Sequence, residues 1–236
     1  MKKIIFKINS LFILIIMILT MSNNIYVIAN SDVNITNDGL KYEIDETKKE
    51  VTIIDFDDSI TNLNIPDNIE GYPVTTIKST AFEYSKLIKV TIPGTVKNIE
   101  FRAFAGSQLE EVEFLDGVTS IGESAFAGCN KLTNVKLPNT ITEIKLLAFS
   151  FCTRLKKIDI PKSTQVIYSA FNESGISEVF LEDGILSIPP HAFEGCKDLI
   201  SIKIPDSVTS IGEFAFSNCN SLGSLDIPKS VINIDD

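Results

Sequence analysis

Histidine is nearly absent from this 236-residue sequence, in which His191 is the only one. A single histidine cannot supply the paired imidazoles of common zinc sites, and the sequence indicates no Ser/His/Asp or Cys/His set. A glycine-rich phosphate-binding loop is missing as well. The sequence therefore predicts a protein that is not an enzyme and that has no catalytic residue, metal site or cofactor.

Basic residues are in deficit, with 21 lysines and arginines against 31 aspartates and glutamates and a net charge of −10. Such a chain has no electrostatic reason to bind nucleic acid or an anionic membrane surface. The acidic run 55–58 resembles the start of a calcium loop. However, Ile60 stands where that loop needs glycine and Pro66 where it needs its closing acid. We interpret the run as a solvated acidic turn.

The longest apolar run near the N-terminus, residues 11–21, is too short to span a membrane, which takes about 20 residues. Lys2, Lys3 and Lys7 precede it, and compact residues follow at 27–29. This order predicts a secretory signal peptide over residues 1–29, with an uncleaved N-terminal anchor as the alternative. Cleavage would remove three lysines and change the net charge from −10 to −13. We expect a secreted or cell-surface protein with no membrane insertion after signal cleavage.

An internal repeat organises the rest of the chain. Its marker is the dipeptide Ala-Phe, which recurs every 22 or 23 residues. The alanines are Ala81, Ala103, Ala125, Ala148, Ala170, Ala192 and Ala215. Four residues before them stand Ile77, Ile99, Ile121, Ile144, Val166, Ile188 and Ile211. After each alanine, an L-x-x-V-x-I run such as 132–137 begins, and a proline usually ends it.

The residue types of the repeat predict a solenoid. V-x-I has the period of a strand with one buried and one solvated face, and proline ends the strand because it lacks an N–H. A second short extended piece, V-x-x-I, returns along the other side. The alanine allows close backbone approach at a corner and the phenylalanine fills the interior. One coil cannot bury its apolar face alone, so stacked coils form one core.

The repeat unit resembles the leucine-rich repeat of BspA-like bacterial surface proteins. The preceding segment, with Gly39–Ile44, Val51–Ile54 and Gly71–Thr75, is similar to the β-hairpin and G-Y-P-V turn that open such solenoids. The resemblance implies a mostly β repeat solenoid, a curved right-handed stack with short parallel strands, few helical turns and an N-terminal hairpin cap. We assign residues 30–58 to the capping region. Residues 59–236 form the solenoid, with about seven repeats and an incomplete last one.

Four cysteines, Cys129, Cys152, Cys196 and Cys219, occupy the same repeat position, four residues after the alanine. Serine fills this position in the other three repeats, which indicates a slot for a small side chain at a turn. Neighbouring coils lie about 4.8 Å apart, so cysteines of adjacent coils could also pair. We favour structural thiols and keep disulfides, and less strongly a metal site, as alternatives. His191 precedes Ala192 where other repeats have unrelated residues, which indicates an exposed and unspecialised position.

The outward rows of the strands form the predicted binding surface, because stacked sheets of solenoids commonly bind partners. One row is Lys89, Glu111, Asn134, Lys157, Glu178, Ser201 and Ser224, and the other is Thr91, Glu113, Lys136, Asp159, Phe180, Lys203 and Asp226. Opposite charges on adjacent strands stabilise a sheet by about 0.2–1 kcal/mol without a ligand, so many of these charges need no other role. Phe180 breaks the pattern. We predict a partner-binding patch of Phe180, Lys157, Glu178, Lys203, Asp159 and Lys136.

The predicted function is a secreted or cell-surface, adhesin-like binding module. The resemblance implies a protein partner, such as a host matrix or surface protein. The alternative is a structural spacer or accessory repeat region of a larger surface protein. The last residues, 234–236, fall inside a repeat, whereas a solenoid normally needs a polar cap. This favours a truncated product or a fragment over a solenoid that leaves its last edge exposed.

Overall fold

The computed structural model describes residues 33–164 and 166–235, and of Val166 only the backbone. The predicted signal peptide lies outside these residues. The strands are, in chain order, β1 (Asn34–Ile35), β2 (Leu40–Asp45), β3 (Glu50–Phe56), β4 (Asn62–Asn64), β5 (Asn68–Ile69), β6 (Tyr72–Ile77), β7 (Lys89–Ile92), β8 (Asn98–Ile99), β9 (Glu111–Phe114), β10 (Ser120–Ile121), β11 (Asn134–Lys136), β12 (Glu143–Ile144), β13 (Lys157–Ile160), β14 (Val166–Ile167), β15 (Glu178–Leu181), β16 (Ser187–Ile188), β17 (Ser201–Lys203), β18 (Ser210–Ile211) and β19 (Asn233–Ile234). No helix long and apolar enough to cross a membrane occurs in the described residues.

The strands stack in parallel as a solenoid, which confirms the predicted fold class. We number its coils 1 to 7 by their Ala-Phe dipeptides. The front sheet, built from the L-x-x-V-x-I strands, has two parts, β4-β7-β9-β11 and β13-β15-β17. The back sheet, built from the V-x-x-I strands, contains β6-β8-β10-β12-β14 and β16-β18-β19. A one-residue alternation of buried and solvated side chains holds this register, as in β13, where Ile158 and Ile160 are buried and the residues before each are exposed.

An N-terminal hairpin covers the first coil, as predicted. β2 and β3 pair antiparallel, and β3 then pairs in parallel with β6 of the back sheet. The ring of Phe56 at the end of β3 lies 4.9 Å from the ring of Phe82 in coil 1. The hairpin thus continues the sheet and also covers the first phenylalanine of the interior.

The phenylalanines of the Ala-Phe dipeptides form one aromatic stack along the solenoid. Successive rings lie 4.8 to 5.8 Å apart and are within 9° of parallel. The rings from Phe82 to Phe193 are at most 1% exposed. Such offset aromatic contacts add about 0.5–1.5 kcal/mol each to the burial of the side chains. The repeat therefore builds a single continuous core.

The corners form a third hydrogen-bonded ladder between coils, with turns rather than helix. In coil 2, Arg102, Phe104 and Gly106 donate backbone N–H bonds of 3.1, 2.8 and 2.8 Å to carbonyls of coil 3. The residue before each alanine and the residue three after it have positive φ in all seven coils, between 45° and 71°. This alternation turns the amide groups toward the next coil. His191, with φ 57°, is thus at a backbone position that is specialised, contrary to our interpretation of it.

Coil 5 departs from the register that the sequence suggested. Ile167, which is 3% exposed, pairs with Ile144, whereas the repeat spacing had assigned Val166 to that buried position. The turn from this isoleucine to Ala170 is one residue shorter than in the other coils. Thr164 takes the preceding core position and bonds to the carbonyl of Ile141 at 3.4 Å. The back-sheet strand of coil 5 therefore has the pattern T-x-x-I instead of V-x-x-I. Because of this threonine, the sequence pattern did not reveal that the buried position is Ile167.

Candidate functional site

The predicted patch lies on the front sheet, and the structure brings most of it together. Phe180 on β15 stands in register between Asp159 on β13 and Lys203 on β17. Lys157 and Glu178 face each other in the neighbouring row of the same strands. Because their strands are hydrogen-bonded neighbours, these five side chains form one surface about three strands wide.

Lys136 is separated from the rest of the patch. It ends β11, the last strand of the first part of the front sheet, and β11 is not hydrogen-bonded to β13. The core residues at this end, Val135 and Leu137, are 7% and 8% exposed, compared with 1% for Ile158 on the other side. The front sheet therefore opens slightly between coils 3 and 4, and the sequence has no proline or glycine within these strands to signal it.

The ion pairs differ from the predicted ladder of opposite charges. Lys89 and Glu111 do pair across strands, at 3.2 Å. Lys157 instead pairs with Asp159 of its own strand, at 3.4 Å. Within residues 33–164 and 166–235, Lys136, Glu178 and Lys203 are in no ion pair. Ion pairs thus explain only some of the charged residues in the two outward rows. Lys203, next to Phe180, is without an ion pair in the described part of the chain.

Two shallow clefts flank Lys203. The first, of about 320 Å³, lies between Phe180, Lys162 and Pro205, with Glu182 and Asp183 at its edge. The second, of about 360 Å³, lies between Lys203, Ile227 and Pro228, with Asp206 and Asp226 at its edge. Both volumes fall in the lower part of the usual range for ligand pockets, about 300–1,000 Å³.

The turn beside the first cleft is one of the two turns in which the repeat lacks its usual proline and has an Asp-Gly dipeptide instead. Glu182 replaces the usual proline and accepts a hydrogen bond from the backbone N–H of Lys162, at 3.1 Å. Gly184, with φ 115°, belongs to the turn that the dipeptide Asp183-Gly184 predicts at this position. The missing proline and the Asp-Gly dipeptide predict that this turn differs from most others, whereas the hydrogen bond between Lys162 and Glu182 is evident only in the structure.

The cysteine slot is a hydrogen-bonding position and not a reactive site. Each Sγ is 3.2 Å from the carbonyl oxygen of the phenylalanine one coil earlier, to which it donates, as Cys129 does to Phe104. All four cysteines are free and buried. Burial raises the pKa of Cys129 and Cys219 to about 11 and that of Cys196 to about 12, and it raises the pKa of Cys152 as well. The thiols therefore stay protonated at neutral pH and are poor nucleophiles.

Neither His191 nor the acidic turn forms a ligand cluster. Nδ1 of His191 lies 2.8 Å from Oε2 of Glu194. Asp55 pairs with Lys41 at 2.5 Å. Asp57 accepts the backbone N–H of Ser59 at 2.9 Å, which lowers the pKa of this carboxyl. In the part of the chain that the structure describes, no three histidine, cysteine, aspartate or glutamate side chains are placed to hold a metal ion.

Known proteins are similar to this chain in both sequence and fold. Six copies of the BspA type leucine rich repeat region match residues 52–176 and 164–236. A leucine rich repeat protein from T. pallidum is 25% identical, with a TM-score of 0.73, covering 81% of this chain and 92% of that one. A leucine-rich repeat protein from Bacteroides ovatus is 27% identical, with a TM-score of 0.70, covering 86% of this chain and 55% of that one.

A leucine rich cell surface protein from Faecalibacterium prausnitzii is also 27% identical, with a TM-score of 0.59, covering 85% of this chain and 50% of that one. The chain thus spans only about half the length of the last two structures. No curated protein sequence matches it. The six repeat copies extend over most of the chain. The chain therefore belongs to the family of proteins with a BspA type leucine rich repeat region.

Proposed function

We propose that this protein is an exported, adhesin-like binding module that receives a protein partner on its front sheet, centred on Phe180 and Lys203. The observation that carries the proposal is the side chain of Phe180, which is 47% exposed in a row of otherwise polar residues. An exposed ring contributes little to the core. Full burial of a phenylalanine side chain is worth about 1.5–3 kcal/mol, and burial of the exposed part of this ring in an interface would contribute a fraction of that free energy to binding. Aromatic residues of this kind dominate many protein interfaces.

Lys203 supports the same surface. It lies next to Phe180 in register, it is free of ion pairs in the described residues, and both clefts include it. A partner carboxylate placed over Lys203 would form the ion pair that Lys203 lacks within the described residues. The family contributes the general role, since leucine-rich repeat proteins are binding scaffolds. The similar cell surface protein from Faecalibacterium prausnitzii is consistent with export.

The test compares the wild type with the double variant Phe180→Ala/Lys203→Glu on a panel of immobilised host matrix proteins, by surface plasmon resonance. We expect at least tenfold weaker binding of the double variant, because it removes the ring and reverses the charge. Its unfolding free energy should stay within about 1 kcal/mol of the wild type, since both positions are at the surface. Phe101→Ala is the matched control, because Phe101 is 46% exposed but lies near a corner, away from the front sheet. Equal binding of wild type and double variant would overturn the proposed site.

A further inference from the structure

The outer surface of the back sheet changes character along the solenoid. On coils 1 to 4 it carries six charged residues: Lys78, Lys97, Glu100, Glu123, Glu143 and Lys145. On coils 5 to 7, Glu213 is the one charged residue at the corresponding described positions, which also include Tyr168, Leu186, Pro189 and Pro190. Tyr168 and Leu186 are 54% and 67% exposed there, and Ile232, directly before β19 and beyond coil 7, is 78% exposed. Exposed apolar groups that gather on one part of a soluble protein mark an interaction surface more often than isolated ones do.

A cleft of about 180 Å³ lies in this part of the back sheet. Tyr168 forms one wall, the rings of Pro189 and Pro190 line the cleft from the next coil, and Gly212 contributes only backbone. The short turn of coil 5 places Tyr168 here, because Ile167 and not Val166 pairs with Ile144 of the preceding coil. The volume lies below the usual range of about 300–1,000 Å³ for small-molecule pockets. It suits one small ring or side chain of a longer segment.

Polar groups of the cleft are arranged to serve an extended backbone. Ser187 and Ser210 also line it, and they are in register on β16 and β18, so they lie about 4.8 Å apart. Within the described residues, neither hydroxyl takes part in a hydrogen bond. A polyproline II segment has no internal hydrogen bonds and exposes its carbonyls, and aromatic-lined grooves commonly receive its proline rings. The two hydroxyls can donate to such carbonyls while Tyr168 packs against a proline.

The charges that border the cleft have one sign. Asp235 lines it, and Glu213 follows Gly212 directly. Both residues are exposed, and within residues 33–164 and 166–235 neither is in an ion pair. Unpaired carboxylates near the rings of Tyr168, Pro189 and Pro190 favour a ligand with a cationic side chain next to its apolar residues.

We propose that this cleft is a second binding site, which takes an extended proline-rich peptide segment that carries arginine or lysine at one end. The site lies on the opposite sheet from Phe180 and does not depend on the proposed function of the front sheet. Its specificity comes from Tyr168 and the two prolines for the proline rings, and from Asp235 and Glu213 for the basic end.

The test uses three fluorescein-labelled ten-residue peptides and fluorescence anisotropy at low salt. The first has eight prolines followed by two arginines, the second replaces the arginines with glutamates, and the third replaces the prolines with glycine and serine. We expect only the first to bind appreciably. Tyr168→Ala should weaken its binding about tenfold, equivalent to about 1.4 kcal/mol, and Asp235→Asn should weaken it less and reduce its salt dependence.

Two control variants separate this site from other surfaces. Phe101→Ala removes a similarly exposed ring from the charged part of the chain and should leave peptide binding unchanged. The front-sheet variant Phe180→Ala/Lys203→Glu should also leave it unchanged. Circular dichroism melts establish that Tyr168→Ala is folded. The proposal is overturned if the arginine peptide does not bind at millimolar concentration, if the three peptides bind alike, or if Phe101→Ala weakens binding as much as Tyr168→Ala. If the arginine peptide does not bind but a neutral oligosaccharide such as chitotriose does, and Tyr168→Ala abolishes that binding, the cleft is a carbohydrate site and the proposal is also overturned.

Discussion

Replacement of Phe126 by alanine tests whether the phenylalanine stack is the cooperative core of the solenoid. The ring of Phe126 is completely buried. It stacks on Phe104 at 5.0 Å and on Phe149 at 5.3 Å, and it meets the ring of Phe114 edge-on at 5.6 Å. Buried Phe→Ala changes cost about 3–5 kcal/mol. The contacts on both faces place this position in the upper part of that range, at about 4–5 kcal/mol.

Phe216 provides the matched comparison, because it is partly buried and its only stacked neighbour within the described residues is Phe193, at 5.8 Å. We expect Phe216→Ala to cost about half as much, roughly 2 kcal/mol. In a domain of this size, 1 kcal/mol shifts Tm by about 2–4 °C, so Tm should fall by about 8–20 °C for Phe126→Ala and by about 4–8 °C for Phe216→Ala. Urea unfolding followed by circular dichroism gives the free energies. If the two variants differ by less than 1 kcal/mol, the interior of the stack is not more important than its end, and the reasoning fails.

Three further results are expected. Among the described residues, the buried Oγ of Ser85 has no hydrogen-bond partner, whereas that of Ser174 contacts a cysteine Sγ at 3.4 Å. In urea unfolding, Ser85→Ala should therefore be neutral or stabilising and Ser174→Ala destabilising by about 1 kcal/mol. The reverse order would contradict the hydrogen-bonding role of the slot. Gly128→Ala should lower the free energy of unfolding by about 1 kcal/mol, because Gly128 has a φ of +70° even though a Cβ has room there. Gly223→Ala should be neutral in the same assay, because a Cβ has room and φ is not positive. Equal effects of the two substitutions would count against the left-handed conformation at the corner. Burial raises the pKa of the Cys129 thiol from 9.0 to about 11 in the folded protein, so the contribution of this thiol to stability is complete below pH 9 and is lost as the pH rises toward 11. Iodoacetamide at pH 8 should label the four cysteines only after denaturation. Rapid labelling of the native protein would refute their burial.

The hairpin cap was predicted from the resemblance to BspA-like repeat proteins, whereas the sequence pattern alone was sufficient to predict the solenoid, its repeat length and its core phenylalanines. These features depend on local patterns, namely the two-residue period of the strands and the recurrence of Ala-Phe, which any stacked coil must bury in the same way. The assignment of Phe180 as exposed also followed from this period, because its neighbours Val179 and Leu181 face the core. Its role in binding stays a prediction.

Only the tertiary structure decided the features that depend on the neighbouring coil. The left-handed residues at each corner exist because their N–H groups meet carbonyls of the next coil, and chemically unrelated residues such as Thr80 and His191 occupy them. Likewise, Lys157 had oppositely charged candidates within its own strand and on the adjacent one, and side-chain conformation selected Asp159. The shift at Ile167 had the same origin, because its register was set by pairing with Ile144 and not by the count of residues to the next alanine. A repeat pattern specifies which side chains are buried, while contacts between coils determine backbone conformation, charge pairing and the placement of Tyr168 beside its cleft.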